Sequence, residues 1–77
     1  MSEETWSAEE LAQHIAATID SVGIVERIRA VEEVDRTDEE KDELSRNERH
    51  VQLQMAKTQF VSGLSVDEKA KIDALKL

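Results

Sequence analysis

Two histidines, eighteen carboxylates and six serines are the side chains with which this 77-residue chain could move protons, hold a metal or attack a substrate. A helix-borne metal site needs several ligands on converging faces, such as Glu-x-x-His pairs. Here Glu10 and His14 stand at i, i+4, and the residue three before His50 is Asn47 rather than a carboxylate. Neither histidine gathers a ligand set. With no cysteine there is no thiolate zinc site and no disulfide framework. Paired-carboxylate catalysis needs two acids held across a water-poor pocket, and so short a chain encloses little. Ser2, Ser7, Ser21, Ser45, Ser62 and Ser65 lie in no nucleophile-elbow context, and no Gly-rich phosphate loop exists. The expectation is a protein that is no enzyme, with no cofactor, no metal and no small-molecule substrate.

The elements that must carry these side chains are helical. Three Ser/Thr-x-x-Glu boxes begin at Ser7, Thr37 and Ser65 and end at Glu10, Glu40 and Glu68. In each, the hydroxyl can accept from the third backbone amide while the Glu reaches back to the capping residue. Trp6 and Leu11 flank the first box at the spacing of a hydrophobic staple. Gly23 and Gly63, the two glycines, each follow a periodic segment and are positioned to end a helix in the left-handed conformation. The reading is an all-α single domain over 1–77: a helical hairpin or small three-to-four-helix bundle, with helices at about 8–22, 24–35, 38–62 and 66–76. Absorption of Gly23 would instead merge the first two into one bent helix. Val and Ile in 19–34 leave a strand possible there.

Apolar residues repeat at helical spacing. Leu11, Ile15, Ile19 and Val22 line the first helix, Ile24, Ile28, Val31 and Val34 the second, and Val66, Ala70, Ile72 and Leu75 the last. The 38–62 helix carries two stripes. Leu44, Val51 and Met55 share one face, and Leu53, Ala56 and Phe60 lie roughly opposite. A helix apolar on two sides sits between two partners. The second stripe is covered by another helix of the chain or by another subunit. Leu53, Ala56 and Phe60 are therefore candidate partner contacts, and Trp6, where it does not serve as the staple on Leu11, is a further one because Trp is a favoured anchor.

The net charge of −8 is unevenly spread. Residues 1–26 hold no Lys or Arg, with Glu3, Glu4, Glu9 and Glu10 at their start. Glu32, Glu33, Asp35, Asp38, Glu39 and Glu40 stand against Arg36 alone, and the chain beyond is near neutral. Asp42–Arg46 and Asp67–Lys71 have the spacing of helical ion pairs. Acidity argues against direct nucleic-acid binding, which needs a basic footprint. No apolar run reaches the ~20 residues of a membrane span, and the acidic N-terminus is unlike a signal peptide. An intracellular location, or carriage in a particle assembled inside a cell, is the expectation. Small domains without staples lean on association, with themselves or with a larger protein.

The stretch Asn47-Glu48-Arg49-His50-Val51-Gln52-Leu53-Gln54-Met55-Ala56-Lys57, then Phe60-Val61 and Leu64-Ser65-Val66-Asp67-Glu68-Lys69, resembles the C-terminal half of certain short acidic tailed-phage proteins. The opening Trp6-Ser7-Ala8-Glu9-Glu10-Leu11 is similar too. The resemblance covers about half the chain and implies a phage-encoded protein, with no activity or site residue to carry over. The functional expectation is a structural or accessory subunit of a larger assembly, such as a phage virion, packing through helix 38–62. The alternative is an acidic inhibitor or adaptor docking on a basic partner through residues 32–40.

Overall fold

The computed structural model describes residues 5–77. Ser2, Glu3 and Glu4 of the sequence reading lie outside them. Four helices follow one another: α1 (Ala8–Arg29), α2 (Asp38–Met55), α3 (Thr58–Gly63) and α4 (Val66–Asp73), with a 3-10 turn over Glu33–Asp35 between α1 and α2. Among the described residues there is no strand, and the chain is a small all-α bundle.

All three expected capping boxes form. Ser7, Thr37 and Ser65 each accept from the amide of Glu10, Glu40 and Glu68, and each Glu accepts in return from the capping residue's amide. These reciprocal bonds satisfy donors that a helix start otherwise leaves open.

The helix ends differ from expectation at three places. The separate helices expected at 8–22 and 24–35 do not form; the alternative reading holds, with Gly23 absorbed into α1, which runs on to Arg29. Gly23 faces open space and keeps a negative φ. The segment beyond Ala30 does not continue that helix, and Val34 is 91% exposed on the 3-10 turn.

Gly63 also lacks a positive φ, and among the described residues the one that adopts it is Lys76, at 53°. Gly63 is small for another reason. A Cβ there would lie 2.7 Å from Leu11 Cδ2 and 3.3 Å from Ile15 Cδ1, so α3 approaches α1 at this point with no room for a side chain.

The third difference is a break in the helix expected over 38–62. It ends at Met55, Lys57 is extended at φ −96° and ψ 120°, and α3 starts at Thr58. Phe60 explains the break. Nine residues after Val51, a continuous helix would carry it about 180° away from Val51. The turn at Ala56–Lys57 swings Phe60 back into the core that Val51 occupies. Burying a Phe stabilises by about 1.5–3 kcal/mol, more than the one or two helical hydrogen bonds lost, at about 1 kcal/mol each.

Val22, Val25, Val51, Phe60, Ile72 and Leu75 form that core, with Leu11, Ile15, Leu44, Met55 and Leu64 packed around it. Thr18, Ser21 and Gln54 are buried beside them. Thr18 Oγ1 donates to the His14 carbonyl at 2.7 Å, and Ser21 Oγ lies 2.7 Å from His50 Nδ1. Gln54 Oε1 has no partner.

Candidate functional site

Arg29, at the end of α1, organises one side of the molecule. Its Nη2 donates to Glu48 of α2 at 2.7 Å, and its Nη1 donates to the Leu75 carbonyl just past α4 at 2.6 Å. The clamp fixes the far end of α4 against α1. Between α4 and α2 a cleft of about 380 Å³ stays open. Met55 and Ala56 wall it on one side, and Ile72 and Leu77 on the other. Asp73 and Lys76 supply polar groups, and Asp73 is already paired with Lys69 at 2.9 Å.

The expected outer stripe is divided by the fold. Phe60 leaves it altogether: it is fully buried in the intrachain core and is not the partner contact expected from the stripe. Leu53 remains on the outside of α2, 54% exposed, and Ala56 is exposed one turn further on. Residues three apart on a helix are neighbours, so Leu53 and Ala56 form an apolar strip running into the cleft.

Trp6 is half-buried and packs against the core edge, as does Leu11. The direct partners of its indole are His14, stacked at 4.0 Å between ring centroids and 16° between planes, and Lys57, whose Nζ lies 4.9 Å from the ring centroid. The Ser7 backbone N–H donating to Glu10, then the Ser7 hydroxyl, hold the Glu10 carboxyl below its usual range, and nearby His14 adds to the effect.

The acidic segment forms an edge at the α1–α2 connection. Arg36, its one base, is turned inward. Its Nε donates to the carbonyls of Ile28 and Val31 at 3.2 and 3.1 Å, and its Nη2 to that of Arg29 at 3.3 Å. These carbonyls lie at and just beyond the C-terminal end of α1, at the negative pole of its dipole, and that of Ile28 also accepts from the Val31 amide at 3.0 Å. Glu32, Glu33, Asp35, Asp38 and Glu39 are exposed, and Glu40 is half-buried in its capping box. Among the described residues the ion pairs are Arg27–Glu43, Arg29–Glu48 and Lys69–Asp73, so none of those six acids is neutralised by a salt bridge. The spacing-based pairs Asp42–Arg46 and Asp67–Lys71 are not among them.

Sequence reasoning missed the Ser21–His50 pair and the Arg29 clamp, whose members lie 19 to 46 residues apart. Ser21 is buried in the α1–α2 seam, and no carboxylate hydrogen-bonds to His50 among the described residues, so the pair has the form of a cross-helix tie rather than an activated nucleophile. Among the described residues no three His, Cys, Asp or Glu converge as metal ligands. No described helix is long and apolar enough to cross a membrane.

Comparison of the chain with protein-family models, with curated proteins and with solved structures gives no match.

Proposed function

We propose that this chain is a small structural or accessory subunit that docks on a larger protein assembly through α2. The observation that carries the reading is the open α2–α4 cleft, continuous through Ala56 with the exposed Leu53. An apolar anchor from a partner would fill space that the chain's own helices leave unfilled, and burying Leu53 would remove apolar surface from water. The resemblance to short acidic tailed-phage proteins makes a phage particle the first assembly to test. The test is recovery of partners on tagged protein from its native cells. Coat, portal or tail components that stay bound in 1 M salt, and are lost with Leu53→Asp, support the reading. Binding that Leu53→Asp leaves intact refutes it.

A second reading is favoured by the withdrawal of Arg36. It leaves five exposed acids around the projecting Val34, the pattern of an adaptor or inhibitor that meets a basic protein surface. Such a contact weakens steeply with ionic strength, because exposed charges are screened over ~8–10 Å at physiological salt. Partner binding that survives Glu32→Lys with Glu33→Lys removes this reading.

A further inference from the structure

We propose that the occupant of the α2–α4 cleft is a second copy of this chain, whose Val34 turn inserts there head to tail. The inference rests on the reading of that cleft as a docking site and names what fills it. Two features at opposite ends of α2 match. One is a knob. Val34, 91% exposed, stands on the 3-10 turn between Glu33 and Asp35, with Glu32 before them. Arg36 is drawn back onto the carbonyls at the end of α1, so no salt bridge neutralises these acids among the described residues. The other is a hole. Val51, Met55, Ala56 and Ile72 give the cleft of about 380 Å³ apolar walls, and Lys76 lines it too. Arg49 lies one turn before Gln52 and Leu53 on the exposed side of α2, next to the cleft.

Charge selects this pairing. Each copy carries −8, so two copies repel unless regions of opposite sign meet. Lys76 and Arg49 are exposed and take part in none of the ion pairs among the described residues. The nearby acids are already engaged: Asp73 is held by Lys69, and Glu48 by Arg29. The cleft is thus an apolar hole with a basic rim on an acidic molecule, and the Val34 turn is an apolar knob among acids. Lys76 also holds a φ of 53°, where Gly would be less strained, so a charged residue stands at the cleft although a smaller one would fit the backbone better. The 18 residues of α2 rise about 27 Å and separate the knob of one copy from its own hole. The contact therefore joins two different surfaces of two copies. Such a heterologous contact propagates into a chain of copies or closes into a ring.

The test is sedimentation velocity of the purified chain over a concentration series from micromolar to millimolar. The mean mass should rise with concentration and pass that of a dimer. Val34→Lys spoils the knob and Lys76→Glu the rim of the hole, both at exposed positions that leave the fold intact. Each variant alone should associate about tenfold more weakly, the loss expected when one apolar side chain or one charge match is removed. Mixed in equal amounts, the two should form a dimer that grows no further, because each pair then holds one intact knob and one intact hole. A chain that stays monomeric at millimolar concentration, association that Val34→Lys leaves unchanged, or a mixture that stays monomeric or grows beyond the dimer would overturn the proposal. Leu53-dependent capture of assembly components from cells is a separate readout. It persists if only the self-contact is wrong, and it is lost while purified copies still pair if only the larger assembly is wrong.

Discussion

Gln59 and Trp6, 53 residues apart, exchange two hydrogen bonds of 2.9 Å, the Gln59 side chain pairing with the Trp6 backbone as a neighbouring strand would. The strap before α1 therefore depends on a residue of α3. Gln59→Ala should destabilise the chain by about 1–2 kcal/mol, since two partly buried bonds are lost and both backbone groups must find water. Urea unfolding measures this, and an unchanged midpoint would show that the pairing contributes nothing.

Phe60 and Leu53 separate fold from contact. Phe60→Ala should cost about 3–5 kcal/mol, enough to unfold much of so small a domain. Leu53→Asp should leave thermal stability within about 0.5 kcal/mol of wild type, because the side chain stands largely in solvent. Circular dichroism melts of the two variants suffice. A large loss in Leu53→Asp would place it in the core instead.

The glycines should respond in opposite directions. Gly23→Ala fills open space on a helix and should stabilise by about 0.5–1 kcal/mol. Gly63→Ala drives a methyl into Leu11 and should cost about 1–3 kcal/mol. Melting temperatures that move the same way for both would contradict the packing described.

Glu10 makes stability depend on acid. Its carboxyl ionises more readily folded than unfolded, so its contribution is fully present above the unfolded value near 4.5 and is lost as pH falls through the lower folded one. Glu10→Gln keeps a residue that can close the capping box but cannot titrate. Wild type should therefore lose more stability than Glu10→Gln between pH 6 and 3. Parallel losses would mean that the shift has no energetic weight.

The helix starts were readable because capping is local: Ser7, Thr37 and Ser65 each find their Glu within one turn. The face of α2 holding Leu44, Val51 and Met55 was readable from period alone. The break at Lys57 was not, since no Pro or Gly marks it and its cause is where Phe60 must go in three dimensions. Gly23 leaves both a stop and an absorbed position open, because sequence cannot show that the helix beyond it is held by Val25 and Ile28 in the core. Arg36 reads as the lone counter-charge of an acidic run, whereas the carbonyls of Ile28, Arg29 and Val31 around the end of α1 are what it binds. The candidate contact was half legible: Leu53 and Ala56 stay outside, Phe60 does not, and the α4 wall of the cleft needed the fold.

The Arg29 clamp has a kinetic consequence. Arg29 and Leu75 are 46 residues apart, so this arm of the clamp forms only after a long loop has closed. α1 and α2, joined by a short connection, can pair without that delay. The hairpin of α1 and α2 is then the natural nucleus, and the docking of α4 a late event on the downhill side of the barrier. Replacing Ile72 of α4 by Ala, which removes a core side chain without touching an α1–α2 bond, should accelerate unfolding while leaving the refolding arm of the chevron nearly where it was.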